Sequence, residues 1–224
     1  MKEPALNMEY VSPSQQIPFH CTGCGACCRH VRQSVPLESM DVFRLSKYLR
    51  GQGDGISNTD DFLLKYAESA LLDECGYFVF FLKVQEDDSC IFLKENRCTV
   101  QTVKPRACRM YPFAAEPLES GKFRYLVSRE HSFHFKGPKV SVKRWMNQYF
   151  YPEEREALYL DFCNMPDTVC MLRRIPDEQK ARALTLFWWY RYSAYDLDGS
   201  FLEQYQRNLV RLQSELRGLA REKQ

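Results

Sequence analysis

The residues whose types and spacing could do chemistry are cysteines, ten in a chain of 224 residues. Four of them fall within eight residues of the segment FHCTGCGACCRH: Cys21, Cys24, Cys27 and Cys28. A C-x2-C-x2-C run can place three thiolates around one centre, as in iron–sulfur loops, and C-x2-C pairs also begin zinc sites. Gly23 and Gly25 allow the tight backbone turns that such a loop needs. This spacing predicts a metal centre.

A second block of cysteines supplies the remaining ligands. Cys90 and Cys98 flank a hairpin-like unit, in which two short apolar runs enclose the polar turn KEN. Cys108 follows Pro105 in a predicted short helical turn that Pro112 ends. We expect the two blocks to converge on one small region of the molecule.

The number of metal centres stays open at this point. Cys28 adjoins Cys27, and the side chains of neighbouring residues diverge by about 100° on a helix, so we expect Cys28 to serve another ligand set or none. Cys75 could be an eighth thiol, and seven or eight thiols could complete one four-thiolate centre or two. The predicted metal ligands are Cys21, Cys24, Cys27, Cys28, Cys90, Cys98 and Cys108.

Basic residues adjoin these cysteines in the sequence. A four-thiolate centre carries a net charge of about −2. We predict that neighbouring cations offset this charge or donate hydrogen bonds to sulfur, and the alternative is that they are ordinary surface cations. They are Arg29, Lys104, Arg106 and Arg109.

The two blocks together resemble the CxxCxxCC cysteine-cluster family, also called YkgJ-like, over about residues 19–113. That family occurs mainly in bacteria and is described as a zinc- or iron-chelating domain. Besides the cysteines, four positions match its pattern: Pro105, Arg109, Tyr111 and Pro112. Gln101 stands where the family usually has an aromatic residue, and Lys104 where it usually has arginine. The resemblance implies a metal-binding protein.

The identity of the metal is less well determined by the sequence, which allows an iron–sulfur cluster or zinc. Three closely spaced thiolates and a remote fourth fit a [4Fe–4S] cluster, which we favour. Against a cluster, Arg109 follows Cys108 where bacterial ferredoxins have proline, and Cys28 with Cys90 and Cys98 looks like part of a zinc set.

Histidines and two further cysteines are weaker candidates. A histidine could complete a zinc site of three cysteines, and His131 with His134 form an H-x2-H pair, but loop histidines bonded to solvent or backbone are commoner. We predict that Cys163 and Cys170 are core thiols, because Pro166 between them should break the helix that would stack them.

Three classes of function remain. The first is a metal-binding protein. The second is an enzyme supported by an iron–sulfur cluster, since flagellin lysine N-methylases carry a similar clustered-cysteine region, although they are longer and their cysteine spacing differs. The third is a zinc-stabilised interaction module that presents its C-terminal helices to a protein partner. No Ser-His-Asp or Cys-His catalytic set can be assigned, because each motif cysteine is better explained as a ligand.

Composition and charge limit the partners and the cellular compartment that we expect. The net charge of +2 gives no argument for a nucleic-acid or membrane partner. The N-terminal segment has no apolar core of a secretory signal, and no run approaches the ~18 apolar residues of a spanning helix. We therefore expect a cytoplasmic protein, and in a reducing compartment ten cysteines indicate metal or redox chemistry rather than disulfides.

The elements that must position the cysteines predict an α+β fold. We expect a metal-binding domain at residues 1–135 and a helical extension at 136–224. Two helices are predicted between the cysteine blocks, the first with Pro36 in its first turn and the second, NTDDFLLKYAESALLDE, with Asn58 or Thr59 as N-cap.

The C-terminal region is predicted to be helical to its end. The segment DEQKARALTLFWWYRYSAYD reads as one helix that is apolar nearly all round and therefore buried or ligand-binding. The last helix carries a coiled-coil-like seam: Leu202, Tyr205, Leu209, Leu212, Leu216 and Leu219. This seam should pack back on the aromatic helix, although self-association or a protein partner would also use it.

Overall fold

The computed structural model describes residues 8–221 and confirms the α+β class, with several small antiparallel sheets and a helical C-terminal region. The helices are α1 (Ser39–Gly51), α2 (Thr59–Tyr66), α3 (Arg106–Met110), α4 (Val142–Tyr149), α5 (Pro152–Arg174), α6 (Asp177–Trp188) and α7 (Phe201–Arg221). The strands are β1 (Met8–Val11), β2 (Gln16–Pro18), β3 (Pro36–Leu37), β4 (Ala67–Leu71), β5 (Phe78–Leu82), β6 (Leu93–Lys94), β7 (Arg97–Cys98), β8 (Phe113–Pro117), β9 (Phe123–Ser128) and β10 (Lys139–Ser141).

The chain folds into two compact units whose segments alternate in sequence. The first, which we call the cysteine unit, contains the described residues up to Val35 together with Val84–Arg155. The second, the helical unit, contains Pro36–Lys83 and the described residues from Glu156 onward. These units do not follow the expected boundary at residue 135, and the reach of the metal-binding domain itself stays a prediction.

Two small antiparallel sheets frame the cysteine unit. One has the strand order β1-β9-β8, and the other pairs β2 with β10. Strand β2 leads directly into the first cysteine block. The backbone amide of Phe19, which follows β2, donates to Pro138 O at 3.1 Å, and the amide of His20 donates to His134 O at 3.0 Å. The start of the cysteine loop is thereby attached to residues 134–138.

The predicted hairpin of the second cysteine block is confirmed. Strands β6 and β7 pair antiparallel, with Leu93 opposite Cys98 and Lys94 opposite Arg97. The two residues of the turn, Glu95 and Asn96, have φ of 48° and 60°. A two-residue turn with both φ values positive matches the twist of the strands it joins, and Asn tolerates that conformation well. The predicted helical turn around Cys108 is also present, as α3.

An aromatic cluster fills the core of the cysteine unit around Phe19, which is 3% exposed. The Phe19 ring contacts the Trp145 ring edge-on at 5.4 Å between centroids, and the rings of Tyr111 and His134 at 5.9 and 6.1 Å. Trp145 also donates its indole N–H to the carbonyl of Met110 at 2.9 Å. This cluster fixes α3 and α4 next to the cysteine loop.

The helical unit contains a sheet with the order β3-β5-β4, and here one prediction is wrong. The helix predicted over NTDDFLLKYAESALLDE ends at Tyr66, and the next five residues form β4, paired with β5 from Ala67–Leu82 to Leu71–Phe78. Pairing with the apolar strand β5 overrides the helix propensity of AESAL. The N-cap is Asn58, whose side chain accepts from the Asp61 amide at 2.9 Å.

The first predicted helix is present as α1 but starts later than expected. Pro36 lies in β3, opposite Phe81 of β5, and α1 begins at Ser39. Glu38 and Asp41 form a capping box at this start. The box supplies acceptors for the free backbone amides of the first turn, so the helix needs no proline there.

Helix α5 continues through Pro166, contrary to the predicted break. A proline inside a helix lacks one N–H donor and leaves a carbonyl without its helical partner. Pro166 lies on an exposed stretch of the helix, where water can satisfy the freed carbonyl.

The C-terminal segment is helical as predicted, with a change of winding. Helix α6 passes at Trp189 into a turn of π-helix that ends at Ser193. In this turn Arg191 is buried and forms an ion pair with Asp161, whose carboxylate also accepts from the Tyr205 hydroxyl at 3.0 Å.

The seam of α7 is buried within the helical unit. Tyr205, Leu209, Leu212, Leu216 and Leu219 are each at most 5% exposed. This is the intrachain packing that the sequence favours, and association through these helices stays a prediction. Among the helices of residues 8–221, none has an apolar stretch long enough to cross a bilayer.

Candidate metal centre

The first cysteine block forms an irregular loop that ends in a 3₁₀ turn, Ala26–Cys28. Gly25 begins the turn with φ of 71°, a conformation that glycine adopts at little cost. A Cβ atom at Gly25 would lie 3.3 Å from a methyl group of Leu93 and 3.4 Å from the Asn96 carbonyl oxygen. The loop therefore approaches the β6–β7 hairpin closely because position 25 has no side chain.

The thiols of Cys27 and Cys28 lie side by side, with their sulfur atoms 4.0 Å apart. The expectation that these neighbours diverge is therefore wrong. Two thiolates bound at 2.3 Å to one tetrahedral ion are about 3.8 Å apart, so this spacing suits a shared ion.

Cys27 is also close to the thiols of the second block. Burial is the main cause that raises the pKa of Cys90 and of Cys98, and the nearby Cys27 raises both further. The backbone continues the connection, because the Cys90 amide donates to the Cys28 carbonyl at 2.8 Å. The structure thus brings Cys27, Cys28, Cys90 and Cys98 into one neighbourhood.

The surroundings of three of these thiols, Cys27, Cys90 and Cys98, favour the protonated form in the absence of metal. A hydrogen bond with Cys28, together with burial, raises the pKa of Cys27 well above its ordinary value. Burial likewise raises the pKa of Cys90 and of Cys98. The Lys104 ammonium opposes this by lowering the pKa of Cys27 and Cys98. This agrees in direction with the predicted charge-offsetting role of Lys104, which stays a prediction.

Cys24 has a different environment, with a histidine partner. Its sulfur lies 3.2 Å from Nε2 of His134, and Nδ1 of the same ring lies 3.3 Å from the Tyr111 hydroxyl. His134 is 3% exposed, and burial lowers its pKa, which favours the neutral imidazole. Hydrogen bonds with the Thr22 side chain and the Ala26 backbone lower the pKa of the Cys24 thiol.

The sequence favoured a loop histidine bonded to solvent or backbone at position 134. In the structure the His134 ring instead contacts the Cys24 thiol and the Tyr111 hydroxyl. The only signal for it was the H-x2-H spacing with His131, which does not reveal burial. His131 is partly exposed and contacts the rings of Tyr111, Phe133 and His134.

Cys21 and Cys108 are the two remaining predicted ligands. Cys21 is exposed, and it adds to the effect of burial and of Cys27 in raising the pKa of Tyr111. Cys108 is partly buried on α3. Their role as ligands stays a prediction.

The predicted arginines direct their guanidinium groups mainly at other partners. Arg29 donates to Asn96 Oδ1 at 2.6 Å. Arg109 forms a buried ion pair with Glu154 and donates to the Lys104 carbonyl at 2.8 Å. The Arg106 guanidinium lies over the Phe150 ring, 5.7 Å from its centroid. Arg109 therefore contacts the backbone that carries Lys104, and its role at a metal centre stays a prediction.

The cysteines outside the family pattern lie in the helical unit. Cys75 is buried there. Cys163 and Cys170 are both exposed on α5, so their prediction as core thiols is wrong. The prediction failed because the unbroken helix turns both side chains outward.

The donor atoms fit a thiophilic metal, although the thiols do not adopt a finished coordination geometry. Across residues 8–221, no group of three or more His, Cys, Asp or Glu side chains is arranged around a common metal position. The side chains that meet in pairs are thiols and one imidazole, which are the ligands that zinc and iron prefer over hard cations. The residues present therefore fit either metal.

Comparison with known proteins identifies the pattern. The chain matches the family model CxxCxxCC, described as "Putative zinc- or iron-chelating domain", over residues 20–133. Neither the curated proteins nor the solved structures contain a match. The match covers both cysteine blocks and half of the chain, and the chain belongs to the CxxCxxCC family.

Proposed function

We propose that the chain chelates a single zinc or iron ion in a four-thiolate centre formed by Cys27, Cys28, Cys90 and Cys98. The observation that carries this proposal is the position of Cys27. Its sulfur lies 4.0 Å from that of Cys28, whose carbonyl accepts from the Cys90 amide at 2.8 Å, and Cys98 lies on the hairpin that follows Cys90. Two sulfurs at this separation suit one tetrahedral ion.

The same distance argues against an iron–sulfur cluster that uses both Cys27 and Cys28 as ligands. In a [4Fe–4S] cluster each cysteine binds a separate iron atom, so the sulfurs stand further apart than two thiolates on one ion. Cys27 and Cys28 would have to separate before both could serve a cluster. An iron–sulfur cluster is therefore the competing form, and composition distinguishes the two.

The centre has a structural consequence for the cysteine unit. A bound ion would connect the 3₁₀ turn Ala26–Cys28 to the β6–β7 hairpin, which carries Cys98, and to the segment before it, which carries Cys90. Structural zinc contributes about 10–16 kcal/mol in small peptides, comparable with the ~5–15 kcal/mol stability of a domain. Four protein ligands leave no open position on the ion, which favours chelation over catalysis.

Anaerobic purification followed by elemental analysis and a visible spectrum tests the proposal. We expect at least one zinc or iron per chain and no acid-labile sulfide. Cys27→Ser should lose one equivalent of metal. Cys163→Ser is the matched control, because this exposed thiol lies on α5, and it should keep full occupancy.

Two results would overturn the proposal. A brown protein with iron and acid-labile sulfide in equal amounts would replace the single ion by a cluster. Full metal occupancy in Cys27→Ser would remove this thiol from the ligand set.

A further inference from the structure

Cys24 and His134 form a thiol–imidazole contact that the four-thiolate centre does not use. The Cys24 sulfur and His134 Nε2 are 3.2 Å apart. A thiolate at 2.3 Å and an imidazole nitrogen at 2.0–2.1 Å from one tetrahedral ion are about 3.5 Å apart. A shift of a few tenths of an ångström would therefore open this pair to a metal.

We infer that His134 is a metal ligand through Nε2, and that it shares a zinc-class ion with the thiolate of Cys24. This ion is separate from the one in the four-thiolate centre, whose four ligands leave no open position, so the inference rests on the proposed function and adds a second metal position to it. His134 lies just beyond the residues matched by the family, which end at 133.

The second ring nitrogen of His134 has the partner that a metal-bound imidazole needs. A histidine ligand usually donates its other N–H to an oxygen acceptor, which fixes both the tautomer and the orientation of the ring. Nδ1 lies 3.3 Å from the Tyr111 hydroxyl. When Nδ1–H donates to Tyr111, the lone pair of Nε2 faces Cys24, as metal binding requires. Tyr111 is therefore a positioning residue.

The backbone holds His134 next to the cysteine loop. Its carbonyl accepts from the His20 amide at 3.0 Å, one residue before Cys21. The side chain is 3% exposed and packs edge-on against the rings of Phe19 and Tyr111, at 6.1 and 6.0 Å between centroids. A buried imidazole held on several sides loses little conformational freedom when it binds an ion.

Cobalt(II) titration of the metal-free full-length chain, prepared under anaerobic conditions, tests this inference. We expect the unaltered chain to bind two cobalt ions, and His134→Ala to lower the affinity for one of them by more than about 100-fold, beyond the range usual for a residue that only supports a ligand. Tyr111→Phe keeps the ring and removes the hydroxyl, so it should lower affinity by about 10- to 100-fold. Far-ultraviolet circular dichroism of each variant establishes that it is folded.

A ligand exchange separates coordination from folding. His134→Cys replaces nitrogen by sulfur, so its cobalt complex should gain sulfur-to-cobalt charge-transfer absorption relative to the unaltered chain. Added imidazole should restore cobalt binding to His134→Ala, because it can occupy the vacated space and supply the missing donor. The matched control is His131→Ala, which alters a neighbouring histidine and should leave the affinity unchanged.

The outcomes distinguish this inference from the proposed function. If the unaltered chain binds no cobalt or zinc, both fail. If it binds metal and His134→Ala binds equally well, only the histidine ligand is excluded. A loss of affinity in His134→Ala without imidazole rescue, together with an unchanged spectrum in His134→Cys, would also overturn it.

Discussion

The backbone amide of Cys90 donates a hydrogen bond to the carbonyl oxygen of Cys28 at 2.8 Å. This bond joins the two cysteine blocks directly, although residues 29–89 lie between Cys28 and Cys90 in the sequence. Beside it, the amide of Val31 donates to the Asp88 carbonyl at 3.0 Å. The segment just before the chain leaves the cysteine unit and the segment just after it returns are therefore neighbours.

Because of this proximity, a bound metal should protect both blocks from alkylation together. Four thiols should become reactive toward iodoacetamide together, and only after a chelating agent has removed the metal from the protein: Cys27, Cys28, Cys90 and Cys98. Mass spectrometry of peptides after short exposure measures this. The exposed pair on α5, Cys163 and Cys170, provides the internal control and should react in both states. Protection of one block without the other would contradict a shared centre.

The ion pair of Arg109 and Glu154 should be important for the stability of the cysteine unit. The two side chains are only 8% and 3% exposed, and removing one partner of a buried pair costs about 3–5 kcal/mol because the other charge stays buried. We expect Glu154→Ala to lower the free energy of unfolding by this amount. Urea denaturation of the metal-loaded chain measures it.

The matched control is the pair of Arg124 and Glu116, whose side chains are 36% and 42% exposed. An exposed pair contributes about 0–1 kcal/mol, so Glu116→Ala should be mild. Equal losses in the two variants would mean that burial does not set the strength of these pairs.

Replacing Gly25 by alanine tests the close approach of the loop and the hairpin. Both Gly25 and Gly23 have positive φ, 71° and 67°, where a residue with a Cβ atom is disfavoured by about 1–2 kcal/mol. A Cβ at Gly25 also meets Leu93 and Asn96, whereas one at Gly23 meets nothing within 4 Å. We therefore expect Gly25→Ala to lower metal affinity more than Gly23→Ala. Competition with a zinc chelator measures both, and a larger loss in Gly23→Ala would show that the contact is not formed.

The stability of the helical unit should depend on the charge of Asp73 at low pH. A hydrogen bond from the Cys75 amide and the ion pair with Arg173 lower the pKa of Asp73 to about 2. In the unfolded chain the pKa of Asp is about 3.9. The stabilisation is therefore complete above pH ~5, declines as the pH falls through 4, and is lost below about 2.

The comparison of the unaltered chain with Asp73→Asn measures this effect. Three tryptophans are present, and a Trp145→Phe background leaves Trp188 and Trp189, both in the helical unit, as fluorescent reporters. We expect the difference in thermal midpoint to shrink steadily between pH 5 and pH 2. A difference that does not change with pH would show that the Asp73 charge makes no contribution.

Local sequence determines the hairpin of the second cysteine block but not the strand β4. Asn96 favours the positive φ that the turn requires, and short apolar runs flank it, so the hairpin is recognisable without the rest of the chain. The segment Ala67–Leu71 has helix-forming residues and becomes a strand only because β5 lies beside it. A partner that lies outside the segment cannot be read from the segment.

The candidate site shows the same difference between features set by local sequence and features set by distant residues. The cysteine pattern places the thiols in the right family, because ligand spacing is a local property. The contact of Cys24 with His134 joins residues 110 positions apart and depends on tertiary packing. Exposure is equally non-local, which explains why Cys163 and Cys170 were expected inside and lie outside.

The alternation of the two units along the chain has a consequence for synthesis on the ribosome. The cysteine unit is complete once Arg155 has been added. The segment Pro36–Lys83 must wait longer, because α6 and α7 of its own unit are synthesised later. At ~5–20 residues per second this interval lasts several seconds. During it, metal can already be captured while Phe78 and Phe80 of β5 lack the rings of Phe187 and Tyr192, against which they pack in the finished unit. Early metal loading would hold the two ends of this waiting segment together.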